Sequence, residues 1–483
     1  MSSLFSILGS TANTLQTLTK ALAVSEENVA NVATPGYAEQ VQTFTALPFD
    51  PGTGLVGGVG SGEIQSTRDL FAEQNVQTQN SQLGTAQQQV SSLTNLQSNF
   101  DISGTTGIPA ALSALSAAFS SWSVSPNDAT AQQNLIQNVQ DVASAFRTTA
   151  ANVSQIASSN QTQLTGLVSQ VNGYAASIAA DNAKIQAGDR NDPAVSADIY
   201  SNLESLSQVA NISTVNQPDG SVTVLLGGQS TLVAGSQLDA ISSTLSVPAT
   251  PAPAYPSAPP NAQILDSLGN NITSTVTQGK LGGVLTVLNQ TLPAIEGDST
   301  QQGSLNQLAQ SFADAVNGNQ TAAYVTDNPL VLAGSALLSY NTSNTTNAAA
   351  SLTLASGATA TGLAAISPAN ATAIPPTTQV SNGAALSLAS LATATNQIGG
   401  QSYTQFFGTI AANVGSALST ATTNQTTQTS LLAQAQALRQ TAQGVDLNQE
   451  AVTVTELQNS LQAASKVFTV IDSLMQTIIN MIQ

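Results

Sequence analysis

Between Val454 and Ile482 the apolar residues fall at Val454, Leu457, Leu461, Ala464, Phe468, Ile471, Met475, Ile478 and Ile482, in steps that alternate between three and four. A helix turns once in 3.6 residues, so this spacing draws one stripe along one side and suits lengthwise packing on another helix. Gln458, Gln462, Ser465, Lys466, Thr469, Asp472, Ser473 and Gln476 fall off the stripe. At 1.5 Å per residue the segment is roughly 45 Å long. The other end of the chain carries a counterpart: Leu4, Leu8, Thr11, Leu15, Leu18, Leu22, Ser25, Val29 and Val32 keep the same alternation. The two stripes are expected to pair, making everything between them one long excursion. Few charges flank either one, which favours burial among neighbouring subunits; a plain intramolecular hairpin is the alternative.

Composition narrows the chemistry. Only 7% of the 483 residues are charged, against about 25% in an ordinary soluble domain. Gln, Asn, Ser and Thr supply the polarity instead, which suits a protein that packs on copies of itself or persists outside the cell. The net charge is −18, and the eight basic residues are scattered singly. Nucleic acid or an anionic membrane surface would need them clustered, so neither is an expected partner. There is no Cys and no His, which removes disulfides, thiolate chemistry, Ser-His-Asp triads and His-based metal sites together. The first basic residue is Lys20, so the start does not read as a Sec signal peptide. Gln462, Lys466 and Asp472 interrupt the last stripe too often for a membrane span.

Along the chain, a first helix over residues 1–33 ends at Thr34-Pro35-Gly36-Tyr37, where Pro35 disfavours helix before it and Gly36 permits a tight turn. Gln40–Phe49 reads as extended and Gly52–Gly62 as a loop. Helical patterning follows from Asp69, then around Leu112–Trp122, then as a long rod after Ser125-Pro126-Asn127-Asp128, then over Val195–Val209. Strands begin at Asn211, with a hairpin turning at Pro218-Asp219-Gly220. Pro248–Pro260, with six prolines in thirteen residues, reads as an extended linker. A strand pair is expected around Gly269-Asn270, helices over Leu281–Val316, thin β structure over Ala323–Pro376, and helix from Gly383 through Leu438.

The fold class expected is mainly α with a β-containing insertion: paired coiled-coil-like terminal helices, a helical-bundle middle domain and a small, mainly β outer domain. The division expected is a terminal-helix assembly domain (1–50 plus 440–483), an α-helical domain (51–209 plus 377–439, joined by helices from 281–318) and the outer domain (210–280 plus 319–376).

The run Asn28-Val29-Ala30-Asn31-Val32-Ala33-Thr34-Pro35-Gly36-Tyr37 resembles the N-terminal signature of bacterial flagellar axial proteins. Gly444-Val445-Asp446-Leu447-Asn448-Gln449-Glu450-Ala451, followed by the stripe to Ile482, narrows the resemblance to the hook-associated protein 1 family, which joins hook to filament. Weaker matches lie at Val59–Gly62, Asp219–Val222 and Gly279–Gly283. The family usually has Ser-Arg after the Tyr, whereas Ala38 and Glu39 stand here. The resemblance implies a non-enzymatic structural subunit without cofactor or metal, located outside the cell at the hook–filament junction. It would be exported by the flagellar type III apparatus without a cleaved signal. Its partners would be copies of itself, the hook protein, the next hook-associated protein on the filament side, and a cytoplasmic chaperone covering the C-terminal stripe before export. The assembly residues implied are Leu4, Leu8, Leu15, Leu18, Leu22 and Val29 at one end. At the other they are Val454, Leu457, Leu461, Ala464, Phe468, Ile471, Met475 and Ile478. Asn31, Thr34, Pro35, Gly36 and Tyr37 carry the signature. Alternatives are another axial protein of hook or rod, or an exported surface protein whose outer domain binds glycans or host surfaces.

Two acidic pairs, Glu26/Glu27 and Asp189/Asp192, lack the ligand spacing of a calcium loop and read as solvated. Asn-x-Ser/Thr triplets such as those at Asn152 and Asn341 follow from the Asn- and Thr-rich composition.

Overall fold

A computed structural model describes residues 2–50, 55–190, 192–246, 261–298, 300–325, 333–343, 347–368, 379–380, 382–391 and 393–482. Helix α1 (Ser2–Ala30) leads into an antiparallel hairpin of β1 (Gln40–Asp50) and β2 (Leu55–Ser66). Then come α2 (Leu70–Gln97), α3 (Gly107–Val124), the 59-residue α4 (Ala129–Ala187) and α5 (Pro193–Val209). A meander follows of β3 (Ile212–Asn216), β4 (Val222–Leu226), β5 (Ser230–Ala234) and β6 (Gln237–Leu238), paired in chain order. Strand β7 (Ser242–Ser246) pairs with β8 (Asn261–Leu265). Helix α6 (Gly279–Thr286) runs through a π-helical turn, Val287–Thr291, into α7 (Leu292–Glu296), and α8 (Ser304–Thr321) follows. Short pieces come next: β9 (Leu338–Ser339), α9 (Ala348–Ser351), β10 (Thr353–Leu354), β11 (Ser367–Pro368) and β12 (Gln379–Val380). The chain closes with α10 (Gly383–Leu391), α11 (Tyr403–Gln443) and α12 (Leu447–Ile482).

The mainly α class with a β insertion is what the chain adopts. Three local readings differ. The stretch Gly52–Gly62, read as a loop, is strand from Leu55 onward: β2 lies against α1, where glycine permits a close approach. A side chain at Gly58 would strike Ser10. The strand β8 pairs backwards with β7, and the Asp266–Asn270 turn after it is held by the Asp266 carboxylate, which accepts from the backbone N–H of Leu268 and Asn270. The last long helical stretch breaks between Leu391 and Tyr403, where Asn396, Gly399 and Gly400 take positive φ. The proline-rich linker lies outside the described residues.

Two compact units result. The first comprises Met1–Leu83, Gln170–Ala240 and Gln428–Gln483, the second Gly84–Ser169 and Ile241–Thr427. The second is built on aromatic contacts. Phe312 lies 6.4 Å from Phe146 and edge-on to Tyr403 at 5.3 Å, and Phe100 meets Phe407 at 5.8 Å. Trp122 is fully buried and its indole N–H donates to the Pro126 carbonyl, so it is core, as its spacing on α3 implied.

With few charges available, helices are fastened to extended chain by side-chain carboxamides. Asn182 on α4 accepts from the Val222 N–H and donates to its carbonyl, both at 2.8 Å, and Asn289 grips Ala262 in the same way at 2.9 Å. Gln320 on α8 does so with Ala364, and Asn317 with Leu337 and Leu338. One amide satisfies a backbone donor and acceptor together, as a neighbouring strand would. This explains where much of the Asn and Gln content goes.

Candidate assembly site

The terminal helices α1 and α12 pack together within the first unit, and α1 also packs on the β1–β2 hairpin. On α12 the covered residues are Val454, Leu457, Leu461, Ala464, Phe468 and Ile478, all half-buried, with Ile471 and Met475 buried. On α1, Leu8, Leu15, Leu18 and Leu22 are half-buried; Leu4 lies within the helix, and Val29 stays 39% exposed one residue before its end. The deepest residues of α1 are Ser25, which belongs to the stripe, and three that do not: Thr17, Ala21 and Asn28. This line is rotated by one residue from the leucine stripe, because α1 must face a helix and a hairpin at once. Thr17 is silent in hydropathy and satisfies its hydroxyl on the Asn13 carbonyl.

At the base of the pair, Asn28 is 1% exposed and uses all of its hydrogen-bonding capacity. It accepts from the Gln40 N–H at 2.9 Å and from the Tyr37 hydroxyl at 2.9 Å, and donates to the Gln40 carbonyl at 2.8 Å and to Glu450 at 2.7 Å. Ser25 donates to the other Glu450 oxygen. Glu450 on α12 is thus buried with neutral donors from α1, and this contact fixes the register of the two helices. Burial, followed by Glu27, Glu450 and Glu39, pushes the Tyr37 hydroxyl up to about 12, so it remains a donor throughout the physiological range. Burial beside Glu450 and Asp446 also raises the Glu39 carboxyl.

The signature residues are brought together as a turn. Asn31 donates to Glu27 and accepts from the Thr34 hydroxyl, while Thr34 and Pro35 are exposed. Gly36, at φ +75°, presses on α5, where any side chain would collide with the Ala197 carbonyl. Its own carbonyl accepts from Arg68 at 2.7 Å. The signature therefore builds the base of the helix pair and docks it on α5. Asn28, Gln40 and Glu450, which lie outside the apolar stripes, do this work together with Ser25, a polar position of the α1 stripe. Polar residues on the inner side of α1, with a Glu four positions into α12, were the signal available for them.

Residues 93–337 match the family described as the flagellar hook-associated protein FlgK helical domain, which is half of the chain. The chain belongs to the FlgK family. Flagellar hook-associated protein 1 of Salmonella typhimurium is 28% identical over 322 residues, covering 64% of this chain and 55% of that protein. The Escherichia coli K12 protein of the same name is 26% identical over 334 residues, 66% and 58% respectively. This member thus spans a little over half the length of the curated relatives it matches. The solved flagellar hook junction protein FlgK from Burkholderia pseudomallei aligns with a TM-score of 0.61 over 76% of this chain and 99% of that one. At 18% identity that likeness concerns the fold. No helix among the described residues is long and apolar enough to cross a membrane.

A second apolar line on α12 faces away from its partner. Val467, Val470, Leu474 and Met481 are 50–75% exposed and, like the covered line, follow heptad spacing. The hairpin adds Val41, Phe44, Phe49 and Ile64, all exposed.

Proposed function

We propose that this chain is a structural subunit of the junction between flagellar hook and filament, and that it assembles through its paired terminal helices. The observation that carries the reading is the second, uncovered apolar line on α12. A two-helix pair with a thin hairpin buries one side of each helix, and the remaining side is suited to the same pair on a neighbouring copy. The hook protein and the next hook-associated protein are the partners on either side of such a layer. Before export through the flagellar apparatus, a cytoplasmic chaperone would keep the C-terminal stripe covered. The segments 1–50 and 440–483 act as the assembly domain, and the role requires neither cofactor nor catalysis.

Deleting residues 456–483 tests this. The expected product is a soluble chain with an intact second unit that no longer supports filament growth, leaving bare hooks and unattached filament protein in the medium. Full-length filaments on cells carrying only the truncated chain would refute the assignment.

A further inference from the structure

The terminal pair joins the rest of the first unit through a narrow neck. Two covalent crossings lead out of it, β2 to α2 and α11 to α12, and the signature turn makes a third, non-covalent contact on α5. At the crossings the Glu39 N–H donates to the Gln443 carbonyl, the Thr67 N–H to the Glu39 carbonyl and the Asp69 N–H to the Gln443 side chain. All three contacts converge on one carboxylate. Glu73, in the first turn of α2, is 3% exposed and accepts from Arg68 at 2.7 Å, Arg439 at 3.2 Å and the Gln443 amide at 2.7 Å. Arg68 continues to the Gly36 carbonyl, and its guanidinium carbon sits over the Tyr200 ring, 3.8 Å from the centroid. Arg439 continues to Glu204 at 2.7 Å.

Only eight basic residues occur in the whole chain, and two of them meet at this carboxylate. The cluster balances two guanidiniums with two carboxylates. Elsewhere several helices are held to extended chain by neutral amides, whereas here paired charges draw segments far apart in sequence to one point. A buried ion pair is a poor source of net stability but costs heavily when one member is removed, because the other is left uncompensated. Here the loss of Glu73 would leave one buried guanidinium, Arg68, and one half-buried guanidinium, Arg439, at the neck with Glu204 alone to balance them.

We propose that Glu73 is a clasp that holds the neck closed, fixing the terminal helix pair on the ends of α2, α5 and α11, and that losing its charge opens the neck while the parts on either side stay folded. The proposal is independent of what the helix pair assembles with.

Hydrogen exchange on the full chain tests it. In Glu73→Gln the amides of Glu39, Thr67 and Asp69 are expected to exchange about a hundredfold faster, while those of Leu135, Val139 and Phe146 on α4 keep their parental rates. Adding Arg439→Met removes the surplus cation and should restore at least about tenfold of the lost protection. Were Glu73 merely a packing element, the double variant would be looser than the single one. Arg439→Gln, at the less buried partner, should open the same three amides by about tenfold. Parental exchange at the neck in either single variant, an equal rise along α4, a double variant looser than Glu73→Gln, or failure of Glu73→Gln to fold would each overturn the proposal.

Discussion

The first part of α4 and the whole of α12 carry apolar residues at the same helical spacing, yet they end in different states. On α4, Leu135, Val139, Val142, Phe146 and Val153 are all fully buried. On α12 only Ile471 and Met475 of the stripe are buried, and Val467, Val470, Leu474 and Met481 remain largely exposed. A periodic stripe states that a helix has a partner; the number of partners decides how deep its side chains go. The second unit surrounds its helices with others, whereas the terminal pair offers α12 one helix. The difference separates a finished core from a half-covered helix.

Truncation in the two regions should expose that contrast most strongly. Phe312→Ala removes a ring packed on Phe146 and Tyr403 and should cost about 3–5 kcal/mol, read as a lower denaturation midpoint of the second unit. Leu461→Ala on the half-covered stripe should cost about 1 kcal/mol in the dilute protein. Equal losses would mean that α12 is as fully packed as the core, and the comparison would fail.

Asn28→Leu comes next. It keeps the volume but leaves the Gln40 N–H and carbonyl, the Tyr37 hydroxyl and one Glu450 oxygen without their partner. Each stranded buried group costs about 1–3 kcal/mol before relaxation and water entry. A net loss of about 2–3 kcal/mol is expected, with faster exchange at the base of the helix pair and little change in the second unit. Asn182→Leu, under the meander, should lose a similar amount there.

These residues mark where the sequence stopped being legible. The terminal stripes, the long rod of α4 and the Pro-Gly turn followed from periodicity and backbone chemistry, since each signal is local. Asn28, Asn182 and Glu450 are polar residues in inward positions, and their partners lie 12, 40 and more than 400 residues away. Nothing in the pattern distinguishes such a residue from a solvated one. The strand β2 was obscured for another reason: its glycines resemble a loop until α1 supplies the surface against which they lie. In the Arg68–Glu73–Arg439 cluster the scarcity of basic residues was visible, but the meeting of these two was not.

Acidity should affect the two regions in smaller and distinct ways. Burial alone raises the Glu296 carboxyl in the second unit to about 7, from 4.5. The unfolded chain releases this proton first, so stability is fully present below pH about 4.5 and falls as pH rises to about 7. Glu296→Gln should flatten that slope in a series of melting curves between pH 5 and 8. In the terminal region Glu39, raised by burial and by Glu450 and Asp446, should show the same sign more weakly. Glu39→Arg there should stabilise the base slightly by removing the repulsion.

The smallest effect on the isolated fold should come from the outer line of α12, and it sharpens the contrast furthest. Val470 and Leu474 are 57% and 50% exposed, so replacing both with Ser removes little buried area. The dilute protein should change by no more than about 0.5 kcal/mol. The same side chains lie beside the covered stripe, and among the described residues nothing hides them. If neighbouring copies close over this line, the double variant should stay monomeric at concentrations where the parent assembles, as read by sedimentation, although its fold is intact. If it assembles like the parent, the outer line is ordinary solvent-facing surface, and the half-covered state of α12 would then reflect a thin domain with no assembly role.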